Sequence, residues 1–481
     1  MPRSTHPFAF GLAISLFAAS SAAQPPESTR TQLQPPPPVP ASQARPGKRA
    51  GRKASEPLVH GPVHEAFAAP TPRQPLPPQT VSRLPPQLPE ELAPSVVPHQ
   101  EGETARWIPG YWGWDARDQG YIWISGTWRS APPEMEWVPG YWFREGTACR
   151  WVAGFWARSD EKELAYLPAP PIPEVERPDT APDDNHFWIS GNWQFVDDEY
   201  RWKPGFWTSV REGWIWRPDC YSWTPRGHVF VRGYWDLPLE RRGTLFAPFP
   251  HAVRRVTPTV VIDVREALAH WFVSSTYQHY CFGDYYEADV HGRGAIVSWY
   301  EYQAAGQEYD AIRSYYSKQE AEFFGALISK HERSQQTASL RPALHWEDYN
   351  ASESGGLAFA ISDDQLPGGF SRVDLAGEEF SAIAAHYRSV VDRRTQFEQT
   401  PINSEGSEPM FIPLHSFVPP GRGGLPPGLA KKGLVPPGFG GVPPGQAKKV
   451  IESFGPIYEK SHKGKGKSGG KGGGKGKGKG K

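Results

Sequence analysis

The sequence predicts a mainly β protein: Trp-rich antiparallel β-meander repeats in two four-strand sets, then a small mixed strand and helix region, between long disordered N- and C-terminal arms. Three observations predict it. Seventeen of the 20 Trp lie in 107–235. A Trp-x-x-Gly-x-Trp pattern recurs there, mostly at a 14-residue step. The two ends are rich in Pro, Gly or Lys and nearly bare of aromatic anchors. With 53 Pro and 49 Gly in 481 residues, a helical bundle running end to end is excluded. Three Cys are too few for a disulfide framework. Hydrophobic residues reach 38% and mean hydropathy is −0.58, as in a chain of which part does not fold.

The N-terminus carries Arg3, an apolar run from Phe8 to Ala19 and small residues at Ser21-Ala22-Ala23. That layout predicts a signal peptide over 1–23 and an exported mature chain in the periplasm, cell envelope or extracellular space. The apolar run is too short to span a bilayer, so the chain is not expected to be membrane-spanning. Residues 24–106 are predicted to be a disordered linker, since 24–105 hold 20 Pro, one Phe, and neither Tyr nor Trp. Such a segment samples polyproline II; the alternative is that it wraps the next domain along a fixed path.

The repeats begin at Trp107. Regular units are Trp107–Trp112, Trp123–Trp128, Trp137–Trp142, Trp151–Trp156, Trp188–Trp193 and Trp202–Trp207. Extending the 14-residue step finds two degraded copies: Trp216–Tyr221, with Asp219 in place of Gly, and Phe230–Trp235. Turn-forming clusters such as Asp115–Gly120 and Arg144-Glu145-Gly146 separate the units, so each reads as one strand of a meander. The two Trp lie five apart, on opposite faces of a regular strand. The Gly between them, preceded by Pro109, Pro139 or Pro204, predicts a bulge that returns both rings to one face. This places lobe 1 at 107–156 and lobe 2 at 188–236, with 157–187 a Pro-rich linker. The Tyr-x-Trp-x-x-Gly-x-Trp units resemble the YXWGXW (WXXGXW) repeat of exported bacterial proteins. That resemblance covers about a quarter of the chain and implies no activity.

After the repeats, 237–400 reads as mixed. Leu245–Pro250 and Thr259–Ile262 are strand candidates, and Asp263-x-x-Glu266 is a capping-box-like helix start. Ser317-x-x-Glu320 predicts a second helix, with Phe323, Phe324, Leu327 and Ile328 at helical spacing, and 374–398 a third. Residues 334–373 are expected to be loop. Four Pro-Pro-Gly units within 417–450 make 401–462 an extended stalk. From Lys463 to Lys481 there are eight Lys and no acid, a solvated cationic tail. The zero net charge is thus an average: 24–462 carry 43 basic against 52 acidic residues.

No nucleophile elbow, zincin, P-loop or C-x-x-C motif is present, so no enzyme activity is expected. The nearest thing to a metal set is His270, His279, Cys281, Asp284 and His291, whose spacing matches no ligand motif; packing within a Tyr/His-rich segment is the favoured reading. Cys149, Cys220 and Cys281 leave disulfide pairing open. Trp112, Trp128, Trp142, Trp193 and Trp207, the second ring of each regular unit, are candidates to stack on sugars, with burial in thin sheets the competing reading. No cofactor and no nucleic acid are expected. The resulting expectation is a non-enzymatic envelope or matrix protein with Trp repeats as scaffold and glycan platform, and the tail as tether to cell-wall glycan or an acidic exopolymer. The alternative is an exported hydrolytic or metal-dependent enzyme with its site in 263–302.

Overall fold

Each pair of consecutive Trp units folds into one antiparallel hairpin bent at its glycines. In the computed structural model the described residues are 56–413, except 76, 93, 95, 99–104, 162, 275–278, 288–295, 305–309, 351–355, 362–369, 373–376 and 400–409. Strands dominate them. The expected signal peptide, the Pro-Pro-Gly repeats and the Lys tail lie outside the described residues. Among the described residues no helix is long and apolar enough to cross a membrane.

In the first hairpin (105–130), the strands are Ala105–Ile108, Tyr111–Asp115, Gly120–Ile124 and Thr127–Ser130. The outer pair brings Trp107 opposite Trp128, and the inner pair brings Trp112 opposite Trp123. The second hairpin (135–158) repeats this with Trp137–Trp156 and Trp142–Trp151. The third (186–209) does so with Trp188–Trp207 and Trp193–Trp202. The fourth (215–236) pairs Trp216 with Trp235 and Tyr221 with Phe230. Ring centroids in these eight pairs are 5.1–5.5 Å apart, tilted or edge to face, a geometry worth about 0.5–1.5 kcal/mol per pair beyond area burial.

The architecture is β-rich as expected, but the two four-strand meanders are not what forms. The two central residues of a unit, such as Pro109-Gly110 and Ser125-Gly126, leave the ladder altogether, rather than forming a bulge within it. Inner and outer halves of one hairpin therefore join different sheets. The outer half of the first hairpin extends through Gly243–Phe246, Val260–Ile262 and Ala358–Ala360; its inner half pairs with Phe249–Pro250.

The bend requires glycine. A Cβ at Gly126 would lie 2.3 Å from Trp107 Cζ2 and 2.7 Å from the Ile108 carbonyl oxygen. The same approach recurs at Gly154, where Trp137 Cζ2 would be 2.4 Å away. Gly126→Ala is expected to cost about 1–3 kcal/mol through overpacking against ring and backbone. Thermal unfolding checks this; an unchanged midpoint would mean the hairpin opens without strain.

The expected linkers are part of the fold, which corrects the assignment of 24–106 as disordered where residues are described. Val59, Val63 and Phe67 are fully buried in the main core with Leu268, Trp271, Trp299 and Tyr316. Gly61–Pro62 pairs with His279–Phe282, and Thr80–Val81 with Ala148–Val152. The alternative of a wrapping path is the one realised for the described residues of 56–98, because a few apolar residues and backbone pairing anchor a stiff Pro-rich chain at little entropic cost. Likewise 157–187 is not a free linker: Glu163–Leu167 is a strand between Gly227–Val231 and Met410–Pro413. That last strand also corrects the start of the stalk.

The mixed region largely follows expectation. Asp263 caps Val264–Ala267 by accepting from the Arg265 and Glu266 amides. The helix carrying Phe324 and Leu327 runs Ala321–Gln336 and starts at Glu320 without a side-chain cap; Ser317, expected to open it, lies instead inside a preceding helix, Ala311–Gln319, capped by Asp310. A 22-residue helix, Gly377–Glu398, follows. Within 334–373, expected to be loop, a short helix Trp346–Asn350 and strands Ala358–Ala360 and Phe370–Arg372 form.

Candidate functional site

The glycines that bend each hairpin expose backbone N–H groups that leave the ladder, and each hairpin meets them with a carboxylate. In the first hairpin Glu91 accepts from Gly110 N–H at 2.7 Å, Gly126 N–H at 2.8 Å and the Trp123 indole N–H at 3.0 Å. In the second, Glu65 accepts from Gly154 N–H at 3.0 Å and the Trp151 indole at 2.6 Å. In the third, Glu176 accepts from Gly191 N–H at 2.6 Å, Gly205 N–H at 2.7 Å and the Trp202 indole at 3.3 Å. In the fourth, the acid is internal: Asp219, at a glycine position of the motif, accepts from Gly233 N–H at 2.5 Å and from the Asn192 side-chain amide. Two amides and an indole N–H converging on one anion form a carboxylate cradle. Asp219 is therefore a substitution that fills the cradle in cis, not decay of the repeat. Glu65, Glu91 and Glu176 were missed because Pro-rich composition reads as linker.

The second hairpin is held on both sides of its bend. Opposite Glu65, Arg394 donates to the carbonyls of Pro139 and Ala153 at 2.7 and 3.1 Å. Arg394 also pairs with Glu398, which accepts from the Tyr141 and Tyr166 hydroxyls at 2.7 and 2.9 Å.

A small cleft of about 80 Å³ lies between residues 65–72, the second hairpin and the fourth. Its walls include Trp137, Trp156, Tyr221 and Tyr234, and its polar floor holds Arg217, Asp236 and Arg242. Asp236 pairs with Arg129 at 2.6 Å and Arg242 at 3.0 Å. Arg129, Arg217 and Arg242 thus gather around one carboxylate. Burial pushes the Arg242 guanidinium down to about 10, with Arg129 and Arg217 adding to the effect and Asp236 opposing it. Arg217 donates one terminal nitrogen to the Ala69 carbonyl, while its Nη1, buried, has no hydrogen-bond partner. An arginine surplus with one buried, unpaired guanidinium N–H beside aromatic rings favours an anionic ligand with apolar faces, provided a side chain shifts to admit it.

The residues expected to stack on sugars divide by burial. Trp112 and Trp128 are each 2% exposed, packed in the cores of the first hairpin, and have no face to offer a ligand. Trp142 is half-buried, donating to the Trp112 carbonyl and tilted against Trp151. Trp193 and Trp207 are half-buried in the third hairpin, Trp193 donating to the Ile172 carbonyl. No two of these rings form a common platform with the cleft.

The metal candidates among the described residues are dispersed. His270 bonds the Tyr286 hydroxyl, which meets His331; burial pushes His270 down to about 3. His279 pairs instead with Glu65 at 3.0 Å. Cys281 is buried and its thiol is pushed well up by burial. Asp284 lies 3.9 Å from Arg341, and His291 falls outside the described residues. His270, His279 and Asp284 are each engaged with neighbouring side chains. All three cysteines are free thiols.

Fold and site define a strand-rich scaffold of bent Trp hairpins, each clasping a carboxylate. The segments 106–129, 137–157 and 211–235 match the WXXGXW repeat (2 copies) family model, and the chain is a WXXGXW repeat-containing protein. Each matched segment corresponds to one hairpin, so the two copies are its two paired units. No curated protein and no solved structure matches the chain.

Proposed function

We propose that this protein is an exported, non-catalytic scaffold of the cell envelope or extracellular matrix that binds an acidic glycan in the cleft between the second and fourth hairpins. The observation that carries this reading is the unpartnered Nη1 of Arg217 beside aromatic walls, with Arg129 and Arg242 sharing Asp236. A uronic-acid residue supplies both requirements, a carboxylate for the guanidinium and C–H faces for the rings. The eight Lys between Lys463 and Lys481 add a second, salt-sensitive attraction to the same kind of polyanion.

Titration calorimetry of the full chain with a uronic-acid oligosaccharide tests the cleft. Binding is expected to weaken at least ~10-fold in Arg217→Gln, as for loss of a charge-assisted bond, and a neutral oligosaccharide of equal length is expected not to bind. Equal affinity of the variant, or no binding of the acidic oligosaccharide, would overturn the reading. Truncation after residue 462 is expected to reduce co-sedimentation with an acidic polysaccharide at low salt, leaving the oligosaccharide affinity unchanged.

A further inference from the structure

His60 lies in the segment threaded through the core, and its ring points at the turn of the first hairpin. Its Nδ1 is 3.0 Å from the Leu344 carbonyl, so Nδ1 carries the hydrogen and donates. Its Nε2 then faces two carboxylates, Asp118 Oδ2 at 3.4 Å and Asp115 Oδ2 at 3.7 Å. His60 is 1% exposed, and Nε2 has no hydrogen-bond partner. Burial pushes the imidazole down, but Asp115 and Asp118 outweigh it and raise it to about 9, so at neutral pH a proton on Nε2 holds the place between the two carboxylates that a metal ion would take by displacing it.

His60 Nε2 lies 3.4 and 3.7 Å from the two carboxylate oxygens, close to the roughly 3.3–3.6 Å between ligands around one tetrahedral ion with bonds of about 2.0–2.2 Å. Outer contacts orient two of the three. The Leu344 carbonyl fixes the His60 tautomer. Asp115, fully buried, accepts on Oδ1 from the Tyr285 hydroxyl at 2.6 Å and the Arg117 amide at 3.2 Å, and on Oδ2 from the Asp118 amide at 3.1 Å. Such support is typical of metal ligands, whose own ligands are held by further hydrogen bonds. Asp118 is 54% exposed, which gives an ion a way in and leaves positions for water.

The geometry points to a divalent first-row transition-metal site formed by His60 Nε2, Asp115 and Asp118, which ties the N-terminal segment to the first Trp hairpin. One neutral imidazole and two carboxylates balance the charge of a dication, and a nitrogen ligand favours Zn²⁺ over Ca²⁺.

The site is tested with Zn²⁺ itself, by titration calorimetry and thermal unfolding of the full chain, with Ca²⁺ for comparison. One Zn²⁺ per chain is expected at the tightest site, with a raised unfolding midpoint, and Ca²⁺ is expected to leave both unchanged. Asp118→Asn changes an exposed side chain, so it is expected to fold, and its own metal-free midpoint is the baseline for its Zn²⁺ response. The variant should lose at least ~10-fold in Zn²⁺ affinity together with the Zn²⁺-dependent stabilisation. Substituting Co²⁺ is expected to give a visible absorption band in the native chain that Asp118→Asn lacks. Absence of binding at millimolar Zn²⁺, or equal Zn²⁺ affinity and an equal Co²⁺ spectrum in Asp118→Asn, would overturn the assignment.

Discussion

Glu65→Ala is expected to destabilise the protein by about 3–5 kcal/mol, because it strips the partner from several buried donors at once. Gly154 N–H and the Trp151 indole lose their acceptor, and His279 loses a carboxylate 3.0 Å away. Glu65 is 5% exposed, so water does not readily take its place. The loss is measured as a fall in the denaturant midpoint, and Glu65→Gln, which keeps the shape and one acceptor oxygen, is expected to lose less. There is also a pH signature. Burial pushes the Glu65 carboxyl up, but His279, the Trp151 indole and the Gly154 amide outweigh it and hold the group below its ordinary 4.5. Its contribution is therefore complete above pH 4.5 and is lost as pH falls through the lower folded value. Glu65→Gln is expected to remove that part of the acid limb.

Asp236→Asn is expected to cost a similar amount, about 3–5 kcal/mol, for a different reason. Arg129 and Arg242 are 0% and 1% exposed at their side chains, and both pair with this carboxylate. Removing the charge leaves two buried guanidiniums beside a third, Arg217, although the amide keeps the side chain's shape. The contrast is Glu90→Gln. Glu90 pairs with Arg255 on the surface, at 55% and 68% exposure, and its loss is expected to cost about 0–1 kcal/mol. Equal effects at Glu90 and Asp236 in urea unfolding would mean that the arginine cluster is solvated and carries no surplus charge.

The Trp period made much of the fold legible, for a physical reason. Rings five apart, repeated every 14 residues, encode one cross-strand ring pair per half-hairpin, and the regular Trp units place them correctly. Which units pair, and where the chain bends, was less legible. Gly126 and Gly154 look like bulge residues until the partner ring and carbonyl that press against them are seen. The cradles were illegible because their acids act across long stretches of chain: Glu65 is 89 residues from Gly154. They also sit in Pro-rich segments, whose composition is that of an unfolded chain even where Val59, Val63 and Phe67 anchor it in the core. Asp219 read as a worn repeat, since a glycine consensus says nothing about what the glycine amides bind. His60 was hidden in the same way, in a segment read as linker and brought to Asp115 by the fold alone.

The requirement of a WXXGXW hairpin for a carboxylate at its bend is probed most directly by Asp219→Gly, which restores the consensus glycine in the unit Trp216–Tyr221 and empties the fourth cradle. If Asp219 fills that cradle, thermal unfolding of the variant shows a lower midpoint, by the equivalent of about 1–3 kcal/mol for the unpaired Gly233 amide, and Asp219→Asn falls in between. A midpoint equal to or above that of the native chain in Asp219→Gly would contradict the account, and would mean that the repeat folds on its rings and glycines alone.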